Sequence, residues 1–173
     1  MDLRTDFVWT PDWQAEDDTR PRIVYFRKSF CLREEEVGGF GVFQISADSR
    51  YKLYVNGRFI QEGPQKALDL TQWYVDSADL TEMLLPGENV IAVEVLRYPA
   101  AKAGKYDYNA SLLRSETPMF YVKDLSEQAK FSARNGWKCC INDEIAIVSE
   151  KHPAGPSPVC AQEIVTATDH FAG

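Results

Sequence analysis

The clearest pattern in the chain is an alternation of apolar and polar positions between residues 51 and 55. Tyr51, Leu53 and Val55 share one face of an extended segment, and the residues between them share the other. A period of two is typical of a half-buried β-strand. Asn56 and Gly57 follow at once, and both tolerate the positive φ angles that a two-residue type I′ turn requires. The segment therefore predicts a β-hairpin, central to a β-sandwich.

The turn also predicts the register of this hairpin, because a two-residue turn fixes which residues face each other. The expected pairs are Val55 with Arg58, Tyr54 with Phe59, and Leu53 with Ile60. A second alternation at residues 91–95 predicts another strand with one face in the core. We expect the core to contain the inward residues of these strands: Leu53, Val55, Ile60, Ile91, Val93 and Val95.

Shorter runs of β-branched and aromatic residues predict the remaining strands. They cover residues 23–32, 40–47, 119–123, 130–133 and 137–141, with a shorter extended piece at 73–75. One helical turn is expected at residues 80–85, because Asp79 followed three positions later by Glu82 resembles a capping box. Since nearly every strong element is a strand, the chain is predicted to be all-β.

Changes of composition along the chain predict three segments. Residues 1–22 contain Trp9, Trp13 and an acidic run, and we expect them to form an extended arm, followed by a β-sandwich at residues 23–150. Residues 152–158 contain three prolines and a glycine, which cannot sustain a strand ladder. We therefore expect residues 151–173 to be a linker and the start of a following, absent domain, which makes the chain an N-terminal piece of a larger protein.

The charge balance narrows the range of partners. The chain carries 26 acidic and 19 basic side chains, a formal net charge of −7, which argues against nucleic acid and anionic membranes. No apolar run approaches the roughly 20 residues that span a bilayer, and the N-terminus lacks the apolar stretch of a signal peptide. We expect a cytoplasmic protein, or a periplasmic or extracellular one whose signal has been removed.

The sequence offers little for metal or nucleophilic chemistry. Its four cysteines have no spacing of the zinc-binding type: Cys31, Cys139, Cys140 and Cys160. We interpret them as reduced thiols that pack as small hydrophobic side chains. Both histidines lie near the C-terminus, at His152 and His170, where a catalytic triad or a two-histidine metal site is hard to build. No metal site and no cofactor is predicted.

Four segments, taken together and in this order, resemble a known family. They are residues 24–30 (Val-Tyr-Phe-Arg-Lys-Ser-Phe), 47–57 (Ala-Asp-Ser-Arg-Tyr-Lys-Leu-Tyr-Val-Asn-Gly), 79–81 (Asp-Leu-Thr) and 86–93 (Pro-Gly-Glu-Asn-Val-Ile-Ala-Val). They are similar to the N-terminal β-sandwich of bacterial α-L-rhamnosidases of glycoside hydrolase family 78 and, less closely, to the sugar-binding domain of family 2 glycosidases. The match covers roughly residues 7–141. The resemblance implies an antiparallel jelly-roll β-sandwich of the galactose-binding type.

The resemblance also implies a function. In that family the acid and base of an inverting hydrolysis lie on a separate (α/α)6 barrel far downstream, for which this chain has no room. A non-catalytic accessory domain is therefore implied, with the rest of the same polypeptide and rhamnose-containing glycans as expected partners. An independent carbohydrate-binding module and a protein-interaction domain stay open as alternatives. The motif residues that carry the resemblance are assigned structural roles in turns, caps and strands: Arg27, Asp48, Asn56, Gly57, Asp79, Gly87 and Asn89.

Catalysis by this chain is rejected on its acidic residues. Glycoside hydrolysis needs two carboxylates about 5 to 9.5 Å apart that flank a sugar cleft. Asp76 with Asp79, or Asp107 with Glu116, could be considered, but the sequence places neither pair on facing rigid elements. We interpret these acids as solvated loop or cap residues, because charged side chains are mostly exposed.

Sugar binding needs exposed aromatic rings with a few polar groups nearby. The long unpatterned segment at residues 98–118 supplies both kinds of group: Tyr106, Asp107, Tyr108 and Asn109. Trp73 and Tyr74 are second candidates. The alternative is that these rings pack the loop onto the sandwich or face the missing catalytic domain, since aromatic side chains also dominate domain interfaces.

Overall fold

Two long antiparallel strands form the centre of the structure. The computed structural model describes residues 6–18, 21–39, 41–65, 74–98, 117–126, 131–133 and 136–142, together with the backbone of residues 146–148 and 164–166. Within it, β1 (Arg22–Leu32) pairs along its whole length with β6 (Gly87–Arg97). Side chains alternate across a strand, so every second residue of β6 from Asn89 to Arg97 is buried.

The strands form two main antiparallel sheets. A five-stranded sheet has the order β4–β3–β6–β1–β8, in which the other members are β3 (Arg50–Val55), β4 (Arg58–Gly63) and β8 (Lys138–Asn142). A three-stranded sheet has the order β5–β2–β7, built from β2 (Val42–Asp48), β5 (Asp76–Asp79) and β7 (Met119–Asp124). A separate antiparallel pair consists of β9 (Ala146–Val148) and β10 (Ile164–Thr166).

The core lies between the two main sheets. Phe43 and Ile45 of β2 and Phe120 of β7 pack in one buried cluster with the inward residues of β1, β3 and β6. The predicted all-β, antiparallel β-sandwich is thus confirmed, while its jelly-roll connectivity and the domain boundaries at residues 22 and 150 stay predictions. Five of the six predicted core residues are at most 1% exposed: Leu53, Val55, Ile91, Val93 and Val95.

The hairpin register is confirmed next to the turn and wrong further along. Val55 faces Arg58, and the rings of Tyr54 and Phe59 meet edge to face with centroids 5.7 Å apart. Leu53, however, faces Gln61 rather than Ile60, because the register shifts between Leu53 and Tyr54. An extra residue on one strand of an antiparallel pair leaves that residue without a direct partner. Ile60 is consequently only partly buried at the margin of the core.

One predicted strand is a turn. Residues 131–133 lie in turns and bends, although Phe131 is fully buried and packs against Phe30 and Phe43 at centroid distances of 4.3 and 5.3 Å. The amide of Ala133 donates to the carbonyl of Val122 at 2.8 Å, and the carboxylate of Asp124 accepts the amide of Phe131 at 3.3 Å. The apolar residues that suggested a strand therefore fill the core from a turn. An extended piece was also predicted at residues 73–75, but the nearest strand, β5, begins only at Asp76.

The predicted helical turn is present but shorter, as a 3₁₀ turn at Thr81–Met83. Its proposed capping box is wrong, because the carboxylate of Asp79 accepts the amide and the hydroxyl of Thr81 at 3.0 and 2.6 Å. These hydrogen bonds to Thr81 lower the pKa of Asp79 below its ordinary value. The structural role predicted for Asp79 is thus confirmed, but its partner is Thr81 and not Glu82.

Two asparagines of the resemblance motifs join the hairpin to the start of β6. The side-chain nitrogen of Asn56 donates to the side-chain oxygen of Asn89 at 3.0 Å, and the side-chain oxygen of Asn56 accepts the backbone amide of Val90 at 2.8 Å. Asn89 is 1% exposed and donates in turn to the carbonyl of Leu85 at 2.6 Å. A buried amide needs such partners, so both asparagines have structural roles, as predicted. Asn56 has a φ of 50° and Gly57 of 78°, as a type I′ turn requires.

The cysteines do not pack as core residues where the structure describes them. Cys31, Cys139 and Cys140 are free thiols, as predicted, but all three are exposed. Cys139 and Cys140 lie on β8, an edge strand, and an edge strand leaves even its inward side chains open to solvent. Cys160 lies outside the described residues.

None of the helical turns in the described part of the chain has the length or apolar composition that crossing a bilayer demands.

Candidate functional site

The predicted sugar-binding residues fall mostly outside the described residues. Tyr74 is described, and its side chain is 40% exposed. The others lie in undescribed segments: Trp73, Tyr106, Asp107, Tyr108 and Asn109. A sugar site at these six residues therefore stays a prediction.

Polar contacts hold the chain near Tyr74, one to the neighbouring strand β2 and one across to the five-stranded sheet. The hydroxyl of Ser46 donates to the carbonyl of Tyr74 at 2.7 Å. Two residues further on, the carboxylate of Asp76 accepts the hydroxyl of Tyr51 at 2.7 Å, and that hydroxyl accepts the amide of Gln61 at 2.8 Å. A side chain at Gly63 would collide with the carboxylate of Asp76. In the Tyr51 cluster, the hydroxyl of Tyr51 thus has both a hydrogen-bond donor and an acceptor as partners.

The Tyr51 cluster predicts an alkaline effect on stability. Burial, and then the hydrogen bond to Asp76, raise the pKa of Tyr51 above its ordinary value of 10.0. The stabilisation that follows is complete below the unfolded-state pKa and is lost as the pH rises through the folded-state pKa. At neutral pH we expect Tyr51→Phe to lower the free energy of unfolding by about 1–3 kcal/mol, through the lost hydrogen bonds.

Above the ordinary tyrosine pKa of about 10, the difference between wild type and Tyr51→Phe should shrink. Urea unfolding at neutral and alkaline pH measures it, with Tyr74→Phe at an exposed tyrosine as the control. A difference that stays constant or grows at alkaline pH would contradict this role of Tyr51.

A second feature, which we call the aromatic groove, lies at the opposite edge of the sandwich. It is an open groove of about 540 Å³ between the N-terminal segment, β1 and β8, and eight residues line it: Phe7, Val8, Trp9, Phe26, Ala133, Gly136, Trp137 and Cys139. The N-terminal wall is fixed to the sandwich, because Val8 and Phe120 exchange two backbone hydrogen bonds of 3.0 and 2.8 Å. This volume falls within the range of about 300–1,000 Å³ found for small-molecule sites.

Four aromatic rings connect the two walls of the aromatic groove. Trp9 packs on Phe26 at a centroid distance of 5.7 Å, Phe26 stacks on Phe120 at 4.3 Å, and Phe120 meets Trp137 edge to face at 5.2 Å. The indole N–H of Trp137 also donates to the carbonyl of Phe131 at 3.0 Å. The two phenylalanines are buried and the two tryptophans only partly so. The chain thus has two partly exposed indoles packed against two buried phenylalanine rings.

The sequence did not identify the aromatic groove as a site. Trp9 was predicted to lie in an extended arm and Trp137 in a strand, and 128 positions separate them. No local pattern shows that two rings so far apart in sequence share one groove.

The buried acids take part in ion pairs and hydrogen bonds that stabilise the fold. Arg97 is 1% exposed, and its guanidinium lies 2.6 Å from the Asp18 carboxylate and 2.9 Å from the Asp48 carboxylate. The hydroxyl of Ser49 also donates to Asp48 at 3.0 Å. This Arg97 ion cluster ties the N-terminal arm to the ends of β2 and β6 and confirms a structural role for Asp48.

The candidate catalytic pairs do not form a cleft where they are described. The carboxylate of Asp76 accepts a hydrogen bond from the hydroxyl of Tyr51 inside the sandwich. Asp79 is exposed, and its carboxylate accepts a hydrogen bond from the hydroxyl of Thr81. Asp107 and Glu116 lie outside the described residues. Among the residues that the structure describes, no three acidic, histidine or cysteine side chains are grouped closely enough to hold a metal ion.

Several solved glycosidase structures contain a region that is similar to this chain. The α-L-rhamnosidase of Aspergillus terreus matches with a TM-score of 0.52 and 19% identity, over 78% of this chain and 16% of that enzyme. The α-L-rhamnosidase of Streptomyces avermitilis, complexed with L-rhamnose, matches with a TM-score of 0.44 and 16% identity, over 80% of this chain and 11% of that enzyme. The α-L-rhamnosidase of Dictyoglumus thermophilum matches with a TM-score of 0.41 and 22% identity, over 71% of this chain and 13% of that enzyme.

No protein-family model and no curated protein matches the sequence. The chain spans no more than 16% of the length of these three solved enzymes. The likeness to the Aspergillus terreus structure concerns the fold, which this chain therefore shares with a β-sandwich region of an α-L-rhamnosidase.

Proposed function

We propose that this chain is a non-catalytic accessory β-sandwich of a glycoside hydrolase of the α-L-rhamnosidase type. The hydrolysis of rhamnose-containing glycans is carried out by an (α/α)6 barrel elsewhere in the same polypeptide. The observation that carries the proposal is the fold shared with the Aspergillus terreus enzyme over 78% of the chain. The four sequence motifs that resemble family 78 point independently in the same direction.

The use of the carboxylates supports a non-catalytic role. An inverting or retaining glycosidase needs one protonated and one ionised carboxyl group beside an accessible sugar. Asp18 and Asp48 share a guanidinium and Asp124 accepts backbone amides, so these three acids are engaged in structural contacts. None of these three carboxylates lines the aromatic groove.

The proposal predicts an inactive isolated chain and an active parent protein. Purified residues 1–173 should release no detectable nitrophenol from 4-nitrophenyl α-L-rhamnopyranoside, because the acid and base are supplied by the barrel. The same assay on the protein expressed from the full reading frame should show turnover. A reading frame without a helix-rich catalytic region, or turnover by residues 1–173 that one carboxylate substitution abolishes, would overturn the proposal.

A further inference from the structure

A row of side chains crosses the outer face of the five-stranded sheet, directed away from the core. The strand registers place one residue of each strand opposite the next, in the sheet order β4–β3–β6–β1–β8. We call this set the outer row, and its members are Phe59, Tyr54, Ala92, Arg27 and Lys138. Neighbouring strands lie about 4.8 Å apart, so the outer row extends over about 19 Å.

Aromatic rings form one end of the outer row. Phe59 is 55% exposed, and its ring packs edge to face with that of Tyr54. A third ring, that of Tyr25, lies two residues before Arg27 on the same face of β1 and is 37% exposed. Its hydroxyl accepts the side-chain amide of Asn142 at 3.2 Å. The outer face of the sheet therefore offers accessible aromatic surface to a ligand that lies flat on it.

Two exposed cations form the other end of the outer row. Arg27 and Lys138 lie directly opposite each other, and in the described part of the chain neither has a carboxylate within ion-pair distance. Glu94 lies diagonally across from Arg27 on β6, but it pairs with Lys52 at 3.3 Å. Like charges directly opposite each other destabilise a sheet. Proteins break such local rules mainly at functional sites, and a bound anion would remove this repulsion.

The combination of rings and cations selects among ligand classes. A neutral sugar would use the rings and leave the two cations uncompensated, whereas inorganic phosphate would use the cations and not the rings. A glycan with carboxylate groups matches both, because its C–H faces stack on aromatic rings and a planar carboxylate accepts paired hydrogen bonds from an arginine. The net charge of −7 works against a densely charged polyanion such as nucleic acid.

We infer that the outer row is a binding site for an acidic glycan. A uronate carboxylate lies between Arg27 and Lys138, and neighbouring pyranose rings pack along the aromatic end of the outer row. The choice of a glycan over an acidic peptide rests on the proposed function. None of the five residues was among the sugar-binding residues predicted from the sequence.

Titration calorimetry of the 173-residue chain at low ionic strength tests the inference, with tetragalacturonate as the probe. Maltotetraose, a neutral glycan, and tetraglutamate, an acidic peptide, are the comparison probes. We expect tetragalacturonate to bind at millimolar concentration or below, at least about tenfold more tightly than either of the other two. Added salt should weaken this binding, because it screens exposed charges.

Matched variants locate the binding on the sheet face. Arg27→Gln and Lys138→Gln should each weaken the affinity for tetragalacturonate at least about tenfold, through the loss of hydrogen bonds to a charged group. Arg58→Gln is the control, because Arg58 is exposed and lies next to Phe59 but on the opposite face of β4, and its effect should stay below about twofold. Phe59→Ala should weaken binding and leave the melting temperature nearly unchanged, since the ring is mostly exposed.

Ala92→Asp tests the site without removing either cation. It places a carboxylate of the chain itself directly opposite Arg27. This carboxylate should compete with that of the probe and weaken the affinity at least about tenfold. Thermal melting of every variant confirms that it is folded.

Four outcomes would overturn the inference: no heat from tetragalacturonate at millimolar concentration, equal affinity for maltotetraose, equal or tighter binding of tetraglutamate, or equal effects of Arg58→Gln and Arg27→Gln. Tight binding of tetraglutamate would assign the outer row to an acidic peptide or protein surface instead.

The result is separable from the accessory-domain proposal. An outer row that binds no tetragalacturonate, in a chain whose reading frame continues into a catalytic barrel, would overturn this inference alone. Tetragalacturonate binding by a chain without such a barrel would support the outer row as a glycan site and reject the accessory role.

Discussion

Replacing Val93 by aspartate is expected to leave the chain unfolded at neutral pH. Val93 is 1% exposed at the middle of β6, where its neighbours across the sheet are Phe26 of β1 and Leu53 of β3. All three side chains point into the space between the sheets, where a carboxylate would have no partner. An unpaired buried charge costs several kcal/mol, against a total stability of about 5–15 kcal/mol for a domain.

The control for Val93→Asp is Ala92→Asp, which introduces the same charge at the preceding residue. Ala92 lies on the outer face of the sheet opposite Arg27, so Ala92→Asp gains a neighbour of opposite charge and should remain folded. Circular dichroism and urea unfolding compare the two variants. A Val93→Asp protein with a cooperative transition at the wild-type urea concentration would refute the core assignment, and with it the central place of β6.

Replacing Arg97 by leucine is expected to produce the second-largest loss of stability, about 3–5 kcal/mol. The substitution leaves the carboxylates of Asp18 and Asp48, with side chains 8% and 0% exposed, without the guanidinium they share. Asp18 belongs to the N-terminal segment, so the part of the arm around Asp18 should also loosen and become sensitive to proteolysis, while the Val8–Phe120 hydrogen bonds still hold its start. Limited proteolysis followed by mass spectrometry would locate the cleavage within the arm.

Two further variants test the electrostatic explanation for Arg97. Arg33→Leu removes an arginine whose ion pairs with Glu35 and Glu36 are on the surface, and it should change the unfolding midpoint very little. Adding Asp18→Asn and Asp48→Asn to Arg97→Leu should recover part of the lost stability, because the uncompensated charges are removed. If Arg97→Leu costs no more than Arg33→Leu, the ion cluster does not stabilise the fold.

The sequence by itself determined the features that depend on neighbours along the chain. The alternation in β3 and β6 identified the strands and their inward residues, because side chains on a pleated strand point to opposite faces in turn. Asn56 and Gly57 determined the turn, since few other residues tolerate its φ angles. The structural roles of Asp79 and Asn89 also followed from short motifs, although their hydrogen-bond partners did not.

The tertiary structure decided whatever depends on residues that are distant in sequence. The bulge beside Leu53 offsets the hairpin, and no local pattern reports the fit of a strand against the opposite sheet. Phe131 fills the core from a turn because packing requires a ring there and does not require a strand. Cys139 is exposed because its strand is at an edge, which only the order of strands determines. Arg97 lies beside its two carboxylates only when the N-terminal arm, β2 and β6 meet. Trp9 and Trp137 share a groove only when the arm packs beside β8. Such sites form from contacts between distant residues, which a one-dimensional pattern does not contain.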